Sequence, residues 1–136
     1  MIGLDTGFFI KLLEGDKAAI DVWNILSNDE DDAVVSCLTL FELNKLSLKG
    51  KIEKDAADVL SDAIQTICLI SWLDNNQILS LGAKLSHSLD MHTTDALILS
   101  GFVTAGVNTI YTTDSDLEMY KKKGVKVVNL QDRQAK

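Results

Sequence analysis

The stretch HTTDALILSGFVTAGVNTIYTTDSDL, residues 92–117, contains a complete helix-to-strand unit. Thr93 or Thr94 offers a capping hydroxyl and Asp95 puts negative charge in the first turn. Ala96, Leu97, Leu99 and Phe102 then recur at helical spacing until Gly106 stops the helix. The β-prone run TIYT at 109–112 reads as a short buried strand, and an acidic turn follows it. Working outward, IGL at 2–4, AVVS at 33–36, ICLIS at 67–71 and VKVVN at 125–129 read as further strands. Helical spacing covers 16–28, 53–66 and 75–89 between them. Strands alternating with helices predict an α/β fold, a three-layer sandwich around a mostly parallel central sheet, because each crossover helix returns the chain to the same strand direction.

The 136 residues, 46% hydrophobic and 24% charged, suit one domain with its own core. The reading places that domain at 1–130, followed by a polar C-terminal tail at 131–136. Cys37 and Cys68 sit in apolar runs without metal-ligand spacing, which favours reduced thiols and a cytoplasmic protein. No run of about 18 uninterrupted apolar residues occurs, so no membrane segment is expected. A net charge of −7 argues against a broad basic nucleic-acid face, so any such contact must be local.

In a parallel α/β sheet the working crevice lies beyond the carboxyl ends of the strands. Asp5 closes the first run, Glu42 sits early in the helix after the second, and Asp95 lies in the first turn of the helix leading to the fourth. Asp114 follows that fourth run, with Asp116 beside it. The predicted topology gathers these distant carboxylates at one end of the sheet. Like charges held close raise one another's pKa values unless a cation neutralises them. Hard oxygen ligands of this kind suit Mg²⁺ or Mn²⁺, either of which can assist hydrolysis of a phosphodiester.

Three segments, LDTGFFI, SCLTLFEL and the 92–117 stretch, together resemble the PIN domain family, in particular the VapC-type toxin ribonucleases. The order Asp-Thr, Ser-x-x-Thr-x-x-Glu-Leu, Asp-Ala-Leu-Ile and Thr-x-Asp carries the resemblance, which spans nearly the whole chain. It implies a Mg²⁺- or Mn²⁺-dependent endoribonuclease acting on RNA, usually a homodimer, often held inactive by a protein antitoxin. On that resemblance Asp5, Glu42, Asp95 and Asp114 form the catalytic, metal-binding quartet, Asp116 is a further ligand or water positioner, and Thr6 and Thr112 are supporting hydroxyls. One departure is Gly7, where many members of the family carry Asn or Ser.

Each residue also has a structural alternative. Asp5 can serve as a helix N-cap, Asp95 as favourable charge at a helix N-terminus, and Asp114 and Asp116 as turn residues. Glu42, flanked by Leu40, Phe41 and Leu43, reads as buried and so is harder to explain away. The tetrad Asp29, Glu30, Asp31, Asp32 reads as a solvated turn, and His87 and His92 as surface or capping residues. Lys45 and Lys49 after Glu42 are candidates for holding an RNA backbone, with a second lysine cluster at Lys121, Lys122, Lys123 and Lys126. Two competing functions remain open: a non-catalytic PIN-like interaction module, and an aspartic protease suggested by LDTG at 4–7.

Overall fold

Five short strands, β1 (Ile2–Leu4), β2 (Ala33–Ser36), β3 (Leu69–Ser71), β4 (Thr109–Thr112) and β5 (Lys126–Asn129), pair in one parallel sheet. In the computed structural model, which describes residues 1–131, their order is β3-β2-β1-β4-β5. The sheet grows from β1 through β2 to β3, then restarts on the opposite side of β1 with β4 and β5. The direction of winding therefore reverses between β1 and β4, and a crevice opens there at the carboxyl ends.

Six helices connect the strands: α1 (Thr6–Leu13), α2 (Lys17–Ser27), α3 (Cys37–Leu48), α4 (Lys54–Ile67), α5 (Asn76–Leu89) and α6 (Thr93–Ala105). Their starts are written in the sequence. Asp16 accepts from the Ala19 amide at 3.0 Å, Ser36 from Leu38 at 3.1 Å and Asn75 from Ile78 at 3.0 Å, each satisfying an otherwise orphaned N–H. A short 3-10 helix, Ser115–Met119, follows β4. None of the described helices is long and apolar enough to cross a membrane.

Alternation along the strands divides the core in two, which makes the three layers. Ile2, Leu4, Ala33 and Val35 point to Phe8, Phe9, Leu43, Leu60 and Ile64 on the α1–α4 side. Val34 and Ile110 point the other way, onto Ala96, Leu99 and Phe102 of α6, with Leu85 and Leu89 of α5 packed outside them. Phe9 anchors the first layer through edge-to-face contacts with Phe8 and Trp23, at centroid distances of 5.1 and 5.7 Å.

The structure adjusts several expectations. The predicted strand at 67–71 loses its first two residues because the Cys68 amide still donates to Ile64 at 2.8 Å, extending α4 to Ile67. Leu69 is 58% exposed, since β3 is a sheet edge with a neighbour on one side only. Val125 donates to Lys122 in a turn, so the last strand starts at Lys126. Helix α6 is capped at His92, whose carbonyl accepts from Ala96 at 2.9 Å; Thr93 and Thr94 lie inside the first turn rather than at the cap. Leu130 belongs to the core, and the expected polar tail falls outside the described residues except for Gln131. This α/β order removes the β architecture that an aspartic-protease reading of LDTG would need.

Gly3, in the central strand, exists to admit Phe102. A Cβ there would meet three ring carbons at 2.8 to 3.0 Å, and the ring, fully buried, has nowhere to retreat. We expect Gly3→Ala to destabilise the protein by about 1–3 kcal/mol in chemical denaturation. Adding Phe102→Leu should recover part of that loss, and strictly additive losses would show that the ring is not the obstacle.

Candidate functional site

The site is assembled at the β1/β4 crevice. Asp5 follows β1 and caps α1, accepting from the Phe8 amide at 3.1 Å through one oxygen. Its other oxygen accepts from the Thr112 hydroxyl at the end of β4. The same Thr112 oxygen accepts from the Asp114 amide at 2.8 Å. One hydroxyl thus ties the two central strands together and sets the turn that presents Asp114. Asp114 in turn accepts from the Asp116 amide at 2.9 Å and caps the 3-10 helix.

Asp95 arrives from the opposite layer, in the first turn of α6. Oxygens of Asp95, Asp114 and Asp116 all lie within 4.8 Å of one another. Among the described residues, none of the five predicted carboxylates is in an ion pair with a lysine or the chain terminus. Glu42 stands on the α3 side, where its Oε1 accepts from the Thr6 hydroxyl at 2.6 Å; Thr6 also shares a 3.0 Å hydrogen bond with the buried Thr39 hydroxyl. Glu42 lies outside the three-aspartate cluster, yet its charge and that of Asp114 both act on Asp5. It is half-buried rather than buried, because α3 turns the neighbouring Phe41 outward, 64% exposed.

The electrostatics follow from this crowding. Burial pushes the Asp5 carboxyl up to about 6; the hydrogen bonds from Thr112 and Phe8 oppose the rise, while Asp114 and Glu42 add to it. Burial also raises Asp95, to about 7, reinforced by repulsion from Asp114, a carboxyl–carboxylate hydrogen bond with it, and the charge of Asp116. Helix capping explains the amide bonds at Asp5 and Asp114. It does not explain why three further acids converge on them. A half-buried cluster of carboxylates beside the buried Asp5, in no lysine or chain-terminus ion pair among the described residues, offers the oxygen donors that hard divalent cations prefer.

The sequence motif Ser-x-x-Thr-x-x-Glu contains Thr39, but its role was legible only once the hydrogen bond to Thr6 was seen. Thr113 was missed entirely. Its hydroxyl lies 1.9 Å from where a Cβ on Gly7 would be and its own Cβ 2.9 Å away, so Thr113 fills the space that a side chain at position 7 would occupy. The neighbouring Gly7 departure from the PIN pattern is thereby accounted for sterically.

Lys45 and Lys49 line a groove of about 440 Å³ shared with Glu42 and Thr94, beside the acidic cluster. Lys121, Lys122 and Lys123 line a separate depression along β5, with Val125 and Val127. Of the histidines, His92 caps α6 and its charge partly offsets the rise at Asp95, whereas His87 lies in a groove between α5 and α6. The tetrad 29–32 is exposed, as a solvated turn should be.

The PIN domain family profile matches residues 2–123, and the chain belongs to that family. No curated protein sequence matches it. Among solved structures, the chain is similar to VapBC2 from Rickettsia felis bound to a DNA fragment from the promoter of that pair, with a TM-score of 0.73 at 16% identity, covering 95% of this chain and 98% of that one. It is also similar to VapBC-1 from nontypeable Haemophilus influenzae (TM-score 0.68, 17% identity, 96% and 99% covered). FitAcB from Neisseria gonorrhoeae gives 0.63 at 18% identity, with 95% and 97% covered. At these identities the likeness is one of fold.

Burial of Asp5 has a measurable consequence in chelator. Between its unfolded pKa and about 6 the native state holds a proton that the unfolded state has released, so stability from this residue is present at about pH 4 and is lost as pH rises through 6. Asp5→Asn, which cannot ionise, should therefore gain in melting temperature relative to the native chain as pH goes from 4 to 7.5. The ionisation cost removed is of the order of 2–3 kcal/mol. A pH-independent difference between the two proteins would contradict the assigned burial.

Proposed function

We propose that this chain is a divalent-metal-dependent endoribonuclease of the VapC toxin type, hydrolysing phosphodiester bonds in exposed single-stranded or loop RNA. The carrying observation is the convergence of Asp95, Asp114 and Asp116 oxygens within 4.8 Å beside the buried Asp5, with none of them in a lysine ion pair among the described residues. Asp5, Glu42, Asp95 and Asp114 would hold Mg²⁺ or Mn²⁺, with Asp116 as a further ligand. When bound, such an ion supplies charge neutralisation, polarises the phosphodiester and lowers the pKa of the attacking water.

The residues themselves divide the remaining work. Thr112 fixes the Asp5 carboxylate and the Asp114 turn together, and Thr6 holds the Glu42 carboxylate in one orientation. Asp116 is set to orient the nucleophilic water. Lys45 and Lys49, close to Glu42, would hold the RNA backbone; their local charge answers the need created by a net charge of −7. Exposed RNA loops suit a crevice of this kind because their backbone can bend and their bases are accessible.

We also assign a protein antitoxin as partner, supported by the likeness in fold to a toxin–antitoxin complex from Klebsiella pneumoniae. A homodimer follows from the same family resemblance, and the free thiols Cys37 and Cys68 suit the reducing cytoplasm.

Cleavage of a mixed RNA pool tests the assignment. The native chain should cut with Mn²⁺ or Mg²⁺ and stop in EDTA. Loss of the hydroxyl that holds Asp5, as in Thr112→Val, should slow cleavage about 10- to 100-fold, and Asp95→Asn should slow it at least as much. Equal cleavage by all three proteins would refute the site. A metal-induced rise in melting temperature without any cleavage would instead identify a non-catalytic PIN module.

A further inference from the structure

Helix α3 carries more toward the crevice than Glu42. Phe41, next to it, is 64% exposed and lines the same groove as Lys45, Lys49 and Thr94. The other aromatic contacts among the described residues join Phe8, Phe9, Trp23 and Tyr111, leaving the Phe41 ring face without an aromatic neighbour. Phe41 and Lys45 lie one turn apart on α3, and Lys49, the helical-conformation C-cap four residues further on, continues the same ridge. Ile10 and Leu38 give the groove an apolar floor. Lys17 and Lys54 are paired with aspartates one turn along their helices, but neither Lys45 nor Lys49 is in an ion pair among the described residues.

We infer that Phe41 is a base-stacking platform for the RNA strand entering the acidic site, with Lys45 and Lys49 taking the phosphates beside the stacked nucleotide. This rests on the ribonuclease reading above and adds to it the residue that grips a base. An exposed aromatic ring followed by cations along one groove is the arrangement that binds single strands with little sequence preference, because every base offers a π-face and every linkage a charge. The groove, at about 440 Å³, has the size of a small-ligand pocket and leads directly to Glu42. Charge complementarity favours a polyanion: the strand would run from the basic ridge toward carboxylates that attract it only when a cation is bound among them.

Two measurements test the inference separately from the cleavage chemistry. In steady-state cleavage of a 12-nucleotide single-stranded RNA, Phe41→Ala should raise KM about tenfold with kcat nearly unchanged, and Phe41→Trp should restore it. Lys45→Ala and Lys49→Ala should each lower the slope of log affinity against log salt by about 0.7. In an Asp95→Asn background, which keeps the strand intact, the emission added by Phe41→Trp over that of Trp23 and Trp72 should be quenched on adding the same RNA. Phe41, Lys45 and Lys49 are all exposed, so replacing them leaves the buried core untouched. Metal-dependent cleavage with an unchanged KM in Phe41→Ala, and no quenching in Phe41→Trp, would overturn the inference, leave the ribonuclease reading standing and assign the groove to a protein partner. Quenching without any cleavage by the native chain would support the stacking role and defeat the ribonuclease reading.

Discussion

One hydroxyl group organises the site. Thr112, at the end of β4, donates to Asp5 at the end of β1 and accepts from the amide of Asp114, so the two strands that flank the winding reversal are locked at their acidic ends. Without that bridge, Asp5 would face Asp114 and Glu42 in a buried place with only one amide to stabilise its charge. The arrangement holds several half-buried carboxylates close to one buried one, and the fold must supply the rigidity to keep them there. It does so from both layers: α1 and α3 on one side carry Asp5 and Glu42, and α6 on the other carries Asp95.

Most of the architecture was legible because the apolar runs are short, β-rich and cleanly separated by helical periods. IGL, AVVS and TIYT were read with their observed limits, since each is flanked by residues that must leave the sheet: an aspartate cap, a serine cap and an acidic turn. Boundaries failed where helix and strand compete for the same apolar residues. Ile67 and Cys68 read equally well as either, and the hydrogen bond back to Ile64 decided for the helix. The α6 cap failed for a related reason: two threonines look like better caps than a histidine, but the carbonyl that starts the helix belongs to His92.

Among the candidate site residues, the carboxylates can be singled out in sequence because each lies next to a strand end or helix start whose position the sequence announces. What sequence could not supply was their grouping. It did not separate the tight trio of Asp95, Asp114 and Asp116 from Glu42, which sits across Asp5 with its own hydroxyl partner. Nor could it give the outward rotation of Phe41, since a helix whose apolar residues are spread around its circumference does not announce which of them faces solvent.

The contact between Gly7 and Thr113 has an evolutionary reading. Two positions at opposite ends of the chain share one small volume at the mouth of the crevice, so neither can drift alone. A lineage that acquired a bulkier residue at the first would need a smaller one at the second, and the path between those states passes through a misshapen intermediate. The Gly–Thr combination is thus one steric solution shared by the turn after β1 and the turn after β4, and a change at either position alters the room left to the other.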